Sequence, residues 1–115
     1  MNNITPLFGG RAPAPAQVTF DRHELNHIMG LYGRMVAAGL WRDYAVDMNR
    51  DEAVFSAFRR ASERPEIHVV KRPELRARQG QYILLGEAGA VLRRGHELPP
   101  LLAPLERKLL KLVEV

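Results

Sequence analysis

Apolar residues return at helical spacing from Leu25 onward. Leu25, Ile28, Met29, Tyr32, Met35 and Val36 follow i, i+3, i+4 steps and define the buried face of one amphipathic helix. Its start is fully punctuated: Asp21 stands at the N-cap, Glu24 three residues on completes a capping box, and Phe20 and Leu25 hold the hydrophobic-staple positions. Gly39 closes it as a left-handed cap. Gly30 and Gly33 each cost the helix about 1 kcal/mol relative to Ala, so their spacing of one turn suggests a close-packed neighbour. The pattern then changes to alternation. Residues 41–48 read as a strand with Arg42, Tyr44, Val46 and Met48 on its more buried face, and Trp41 at the sheet margin.

Asn49 and Glu52 repeat the cap spacing and predict a second helix over 50–62, with Val54, Phe55, Phe58 and Ala61 inward. Pro65 ends it. A strand over 66–72 follows, with Ile67 and Val69 on one face, then a single helical turn or loop over 73–79 closed by Gly80. Residues 81–86 and 90–94 form a hairpin around Glu87-Ala88-Gly89. Pro99 and Pro100 open a last helix, in which Leu102, Leu105, Leu109, Leu112 and Val113 line a stripe opposite Arg107, Lys108 and Lys111. Residues 18–20 add a short edge strand. The order is (β)αβαβββα: an α+β domain whose mostly antiparallel sheet, about four strands, is covered by two or three helices. Residues 1–17, rich in Pro, Ala and Gly, read as a flexible tail with Leu7-Phe8 as a candidate docking pair, and 18–115 as one domain.

Composition narrows the function classes. The 115 residues suffice for one domain with a real core. Cys is absent, which removes disulfides and thiolate metal sites. No signal segment and no membrane-length apolar run stands out, so a cytoplasmic protein without membrane contact is expected. The net charge of +4 is concentrated. Between positions 59 and 78, seven basic residues (Arg59, Arg60, Arg64, Lys71, Arg72, Arg76, Arg78) face three acids (Glu63, Glu66, Glu74), a surplus equal to the whole net charge. With Arg93 and Arg94 beside them on the hairpin, these residues are the candidate surface for nucleic acid or an acidic protein. Trp41, Tyr44 and Tyr82 are the rings available to stack on bases. No helix-turn-helix, RNP or K-homology signature accompanies them.

One string matches a catalytic motif. His23-Glu24-Leu25-Asn26-His27 is a literal H-E-x-x-H, in which two imidazoles one helical turn apart chelate zinc and the Glu serves as base to a bound water. The motif sits in the first turns of its helix, Glu24 is already the partner of Asp21, and the candidates for a third ligand (Glu52, Glu63, His68, His96) have no recognised spacing. Solvated histidines on a polar face are the simpler reading, with no cofactor expected. Ser56 and Ser62 fall in the second predicted helix without a His-acid partner, so no nucleophile stands out.

Five segments in one order, Phe20-Asp21-Arg22, Leu31-Tyr32-Gly33-Arg34-Met35-Val36, Trp41-Arg42-Asp43-Tyr44-Ala45, Phe58-Arg59-Arg60-Ala61 and Arg78-Gln79-Gly80, resemble a small alphaproteobacterial family, domain of unknown function 2794. The resemblance runs over about 18–98 and implies a bacterial, cytosolic protein. It carries over no activity, ligand or site residue, and the histidine pair stands outside the family's pattern. The expectation is a non-enzymatic binding module, regulatory in role, that turns its basic surface to an anionic partner. The alternatives are an adaptor or homodimer joined through the C-terminal leucine stripe, and a zinc hydrolase through His23, Glu24 and His27.

Overall fold

The computed structural model describes residues 17–60 and 64–114, with side chains as far as 112. The expected tail, Leu7-Phe8 within it, and also Ala61, Ser62 and Glu63 lie outside the described residues.

The first helix, α1, runs Arg22–Ala37 and begins as its caps dictate. The Glu24 amide donates to Asp21 Oδ1 at 2.8 Å, and the Asp21 amide donates to Glu24 Oε1 at 2.7 Å, so two otherwise orphaned donors are satisfied reciprocally. At the other end Gly39 adopts φ +77°. Its N–H donates to Val36 O and that of Leu40 to Met35 O, the paired bonds of a Schellman stop. No neighbour packs on the two helix glycines: a Cβ on Gly33 would meet nothing within 4 Å, and one on Gly30 only an Arg34 nitrogen. Among the described residues the close approach expected there is absent.

Five strands follow: β1 Asp43–Met48, β2 Ala53–Phe58, β3 Ile67–Lys71, β4 Tyr82–Leu85 and β5 Val91–Gly95, then α2 Leu98–Glu114. They form one sheet in the order β1-β2-β3-β4-β5, every pair antiparallel. The domain is α+β as expected, with five strands and two α-helices among the described residues. Short 3-10 turns at Pro73–Leu75 and Glu87–Gly89 connect strands β3 to β4 and β4 to β5. Residues 18–20 form no strand, although the Val18 amide donates to Asn49 O at 2.7 Å.

The main correction is β2, where a helix was expected over 50–62. Asn49 does bond forward, its Oδ1 accepting from the amides of Asp51 and Glu52, and the Asn49 amide closes on Glu52 O. Those bonds make an Asx-type turn between two strands instead of a helix cap. Beyond it Ala53, Phe55 and Ala57 face inward and Val54, Ser56 and Phe58 outward, a period of two suited to β-branched and aromatic side chains.

Register sorts the sheet into two faces. Tyr44, Val46 and Met48 of β1, Ala53, Phe55 and Ala57 of β2, Ile67, Val69 and Lys71 of β3, Tyr82 and Leu84 of β4, and Arg93 and Gly95 of β5 share one face. Both helices pack there, and Ile28, Leu31, Met35, Leu101, Leu102, Leu105 and Leu109 close a single core with these strands and Trp41. Each large side chain withdrawn from water in this core contributes about 1.5–3 kcal/mol. Gly80, at φ +92°, sits against the backbone of Gly95 and His96, where a Cβ would overlap the Gly95 carbonyl. That contact fixes the loop before β4 against the exit from β5.

Candidate binding surface and the buried Glu24 network

The H-E-x-x-H string resolves into two unrelated parts. His23 and His27 are exposed, while Glu24 points into the protein. Its Oε1 accepts from Lys71 Nζ at 2.8 Å and its Oε2 from the Tyr82 hydroxyl. Lys71 Nζ also donates to Thr19 O at 2.9 Å. The Lys71 and Glu24 side chains keep 14% and 8% exposure, so this ion pair is nearly dry. Burial, followed by the bond to Glu24, pushes the Tyr82 hydroxyl well above its ordinary pKa. The carboxylate that a zinc hydrolase would reserve for its water is therefore committed on both oxygens. His68, one of the candidate third ligands, projects from the opposite face of the sheet, and Glu52 pairs with Arg72. Among the described residues no three His, Asp or Glu side chains gather in a way that could hold a metal ion.

The nine basic candidates do not converge. Lys71 faces the helices with Ile67 and Val69 and is consumed by Glu24. Arg59, Arg60 and Arg64 lie at the end of the sheet where β2 leads to β3, and Arg72, Arg76 and Arg78 at the other end, after β3. A five-residue strand separates the two groups by roughly 16 Å. Arg93 and Arg94 are neighbours on the edge strand β5 and project to opposite faces, Arg93 beside Leu84 and Arg94 beside Ile83.

Several of these arginines already have partners. Arg59 Nε lies 3.2 Å from Glu66 Oε1 and its terminal nitrogen 3.8 Å from Glu87. Glu66 is held further by Trp41, whose buried indole N–H donates to Oε2 at 2.8 Å. Arg59, Arg64, Glu66 and Glu87 line an open cleft of about 340 Å³. Arg72 bridges Glu52 at 3.5 Å and Glu74 at 2.6 Å, which leaves its buried Nε without a partner. Arg93 donates to Pro100 O at 2.7 Å.

The face turned away from the helices was not anticipated. Two rows cross it: Asp47, Val54, Val70, Ile83, Arg94, and Ala45, Ser56, His68, Leu85, Val91. Val70 and Ile83 are buried yet stand outside the helix-packed core, and Val54, Phe58 and Leu85 are half-buried. Ser56 and His68 are directly opposed, with Oγ 2.7 Å from Nδ1. Ser56 thus lies in a strand with a histidine partner, where a helix without one was expected. Among the described residues no carboxylate pairs with His68, so the contact is a cross-strand hydrogen bond and not a relay. The signal that could have exposed this face was the outward set Val54, Phe58, Val70, Ile83 and Leu85, which is too apolar for a solvated surface.

The rings expected to stack on bases all belong to the other side. Trp41 is buried in the core beside Tyr32, Tyr44 stacks on Phe55 and meets Tyr32 edge-on, and Tyr82 is bound to Glu24. The C-terminal stripe is divided between the core and the surface. Leu102, Leu105 and Leu109 close the chain's own core, while Leu110 and Leu112 remain 58% and 49% exposed. Val113 lies beyond the described side chains.

A family model, Protein of unknown function (DUF2794), matches residues 18–102. The chain belongs to this family. The family match covers α1, the whole sheet and the first turn of α2, which includes the Glu24 network and the outward sheet face. No curated protein and no solved structure matches the chain. No helix among the described residues is long and apolar enough to cross a membrane.

Proposed function

We propose that this family member is a non-enzymatic binding module that presents the helix-free face of its sheet to an acidic partner protein. One observation supports it most directly: on the face away from the helices Val54, Phe58 and Leu85 remain partly exposed around the buried Val70 and Ile83, flanked by Arg94 and by arginine groups at both ends of the sheet. Apolar centres with arginine-bearing rims are the composition of protein interfaces. A nucleic-acid platform asks for several exposed rings, and this face offers Phe58 with His68. The arginine groups supply attraction and orientation for acidic side chains, and the partly exposed Val54, Phe58 and Leu85 supply area to bury.

Fluorescence anisotropy distinguishes the partner classes. The probes are a labelled peptide with a central pair of glutamates flanked by valines, a mixed-sequence single-stranded RNA and the matching DNA, each at about 50 and 200 mM salt. The peptide should bind at both salt concentrations and lose affinity in a Phe58→Ser variant whose fold is checked by thermal unfolding. The nucleic acids should bind weakly, if at all, at the lower salt only. RNA or DNA bound more tightly than peptide, with the orders-of-magnitude salt loss that several phosphate contacts produce, would replace this reading with the nucleic-acid one.

A further inference from the structure

We infer that the outer edge of β5 receives an acidic, extended segment of the partner protein as a sixth strand. This rests on the reading of the chain as a binder of an acidic protein and adds where and how the partner docks. β5 is the last strand in the sheet order, so one side of its backbone pairs with β4 and the other with no described strand. A row of amide and carbonyl groups at a sheet edge is a template for an added strand.

Side chains along β5 suit an acidic occupant. Val91 and Leu92 at its start are 50% and 53% exposed and offer apolar contact. Arg93 and Arg94 follow, one on each face. Successive residues of an added strand also alternate between faces, so two consecutive carboxylates would meet the two guanidinium groups, one above the sheet and one below. The bond from Arg93 to Pro100 O uses one of its five N–H donors and holds the side chain across the start of α2. Beyond the arginines, an open cleft of about 400 Å³ lined by Arg93, Arg94, His96, Glu97 and Leu101 can take a side chain at the end of the added strand.

Charge separates this edge from its counterpart. β1, the opposite edge, carries Asp43 and Asp47 and would repel an acidic strand. A second copy paired β5 to β5 in the register centred on Arg93 and Arg94 would set arginines against arginines, which is unfavourable for directly opposed strands. An acidic segment of another protein satisfies both constraints.

The experiment compares the labelled valine-flanked glutamate peptide with the same sequence N-methylated at every backbone amide. Each is titrated against the full chain at about 50 mM salt and against an Arg94→Glu variant with a native circular dichroism spectrum. Strand addition predicts at least tenfold weaker binding of the methylated peptide, which keeps its charges but cannot pair, and at least tenfold weaker binding by R94E. Equal affinity for both peptides overturns strand addition and leaves the wider reading of an acidic partner standing. An unchanged affinity in R94E moves the site away from β5. Absence of binding by either peptide removes the wider reading together with this one.

Discussion

Lys71 Nζ lies 2.8 Å from Glu24 Oε1 and ties the first turn of α1 to the end of β3 across the helix-covered side of the sheet. The two residues are 47 apart in sequence, and neither retains much contact with water. A pair so enclosed adds little net stability compared with a well-packed apolar pair, but removal of one partner leaves a charge buried alone. Glu24 also closes the capping box and accepts from Tyr82, so it carries three separate constraints.

Glu24→Gln should therefore lower the unfolding free energy by about 3 kcal/mol, read from urea denaturation. His27→Ala, at an exposed position, should change it by less than about 0.5 kcal/mol. A structural zinc site would give another pattern, with a large loss in the histidine variant and chelator sensitivity in the parent. Both variants together thus decide whether the H-E-x-x-H string is a cap with two bystanders or a metal site.

The first helix could be read directly from the chain because its caps and its apolar face are local and agree. β2 could not, because Asn49 and Glu52 stand at the same spacing as Asp21 and Glu24. In both places the side chain bonds forward to the following amides. What differs is the partner strand: residues 53–58 pair with β1 on one side and β3 on the other, through hairpins with the preceding and following strands and not through i, i+4 bonds within the segment. Lys71 was countable as part of a basic run, yet it shares the inward parity of Ile67 and Val69, so strand alternation alone marks it as buried. The site suffered more than the fold. A charge run in sequence is one-dimensional, and the sheet carries Arg59, Arg72 and Lys71 to two ends and an interior.

Alkaline pH tests the same network through Tyr82. Its folded-state pKa is raised from the ordinary 10.0, by burial first and the Glu24 bond second. Below pH 10 the hydroxyl is protonated in both folded and unfolded chains, and its contribution to stability is complete. Above pH 10 the unfolded chain releases the proton while the folded chain holds it, so stability falls as pH rises, by up to about 1.4 kcal/mol per pH unit for one group. Tyr32, raised in the same direction by burial and by Asp43, adds to the slope. Urea denaturation at intervals between pH 9 and 11 should show this decline in the parent chain and a shallower one in Tyr82→Phe.

The Trp41 indole N–H donates to Glu66, and Trp41 is 1% exposed. Glu66→Ala leaves that donor buried without a partner, at a cost of about 1–3 kcal/mol. The same change frees Arg59 from its closer carboxylate. Thermal unfolding should show the loss, and the near-ultraviolet dichroism of the only tryptophan should change with it. An unaltered tryptophan signal would mean that the indole does not depend on Glu66.

Two glycines make opposite predictions from the same substitution. Gly33 lies within α1, and a methyl group added there would meet nothing within 4 Å. Gly33→Ala should therefore stabilise the chain by about 1 kcal/mol through helix propensity and a less flexible unfolded state. Gly80 adopts φ +92°, and its Cβ would overlap the Gly95 carbonyl and press to 2.9 Å against the His96 amide nitrogen. Backbone on both sides cannot yield cheaply, and the left-handed conformation is itself unfavourable for alanine. Gly80→Ala should cost about 3 kcal/mol or more and lower the midpoint of thermal unfolding by more than about 10 °C. Because β5 leaves the sheet at Gly95, the variant should also loosen the β5 edge, which hydrogen exchange at residues 91–95 would report as faster amide exchange than in the parent.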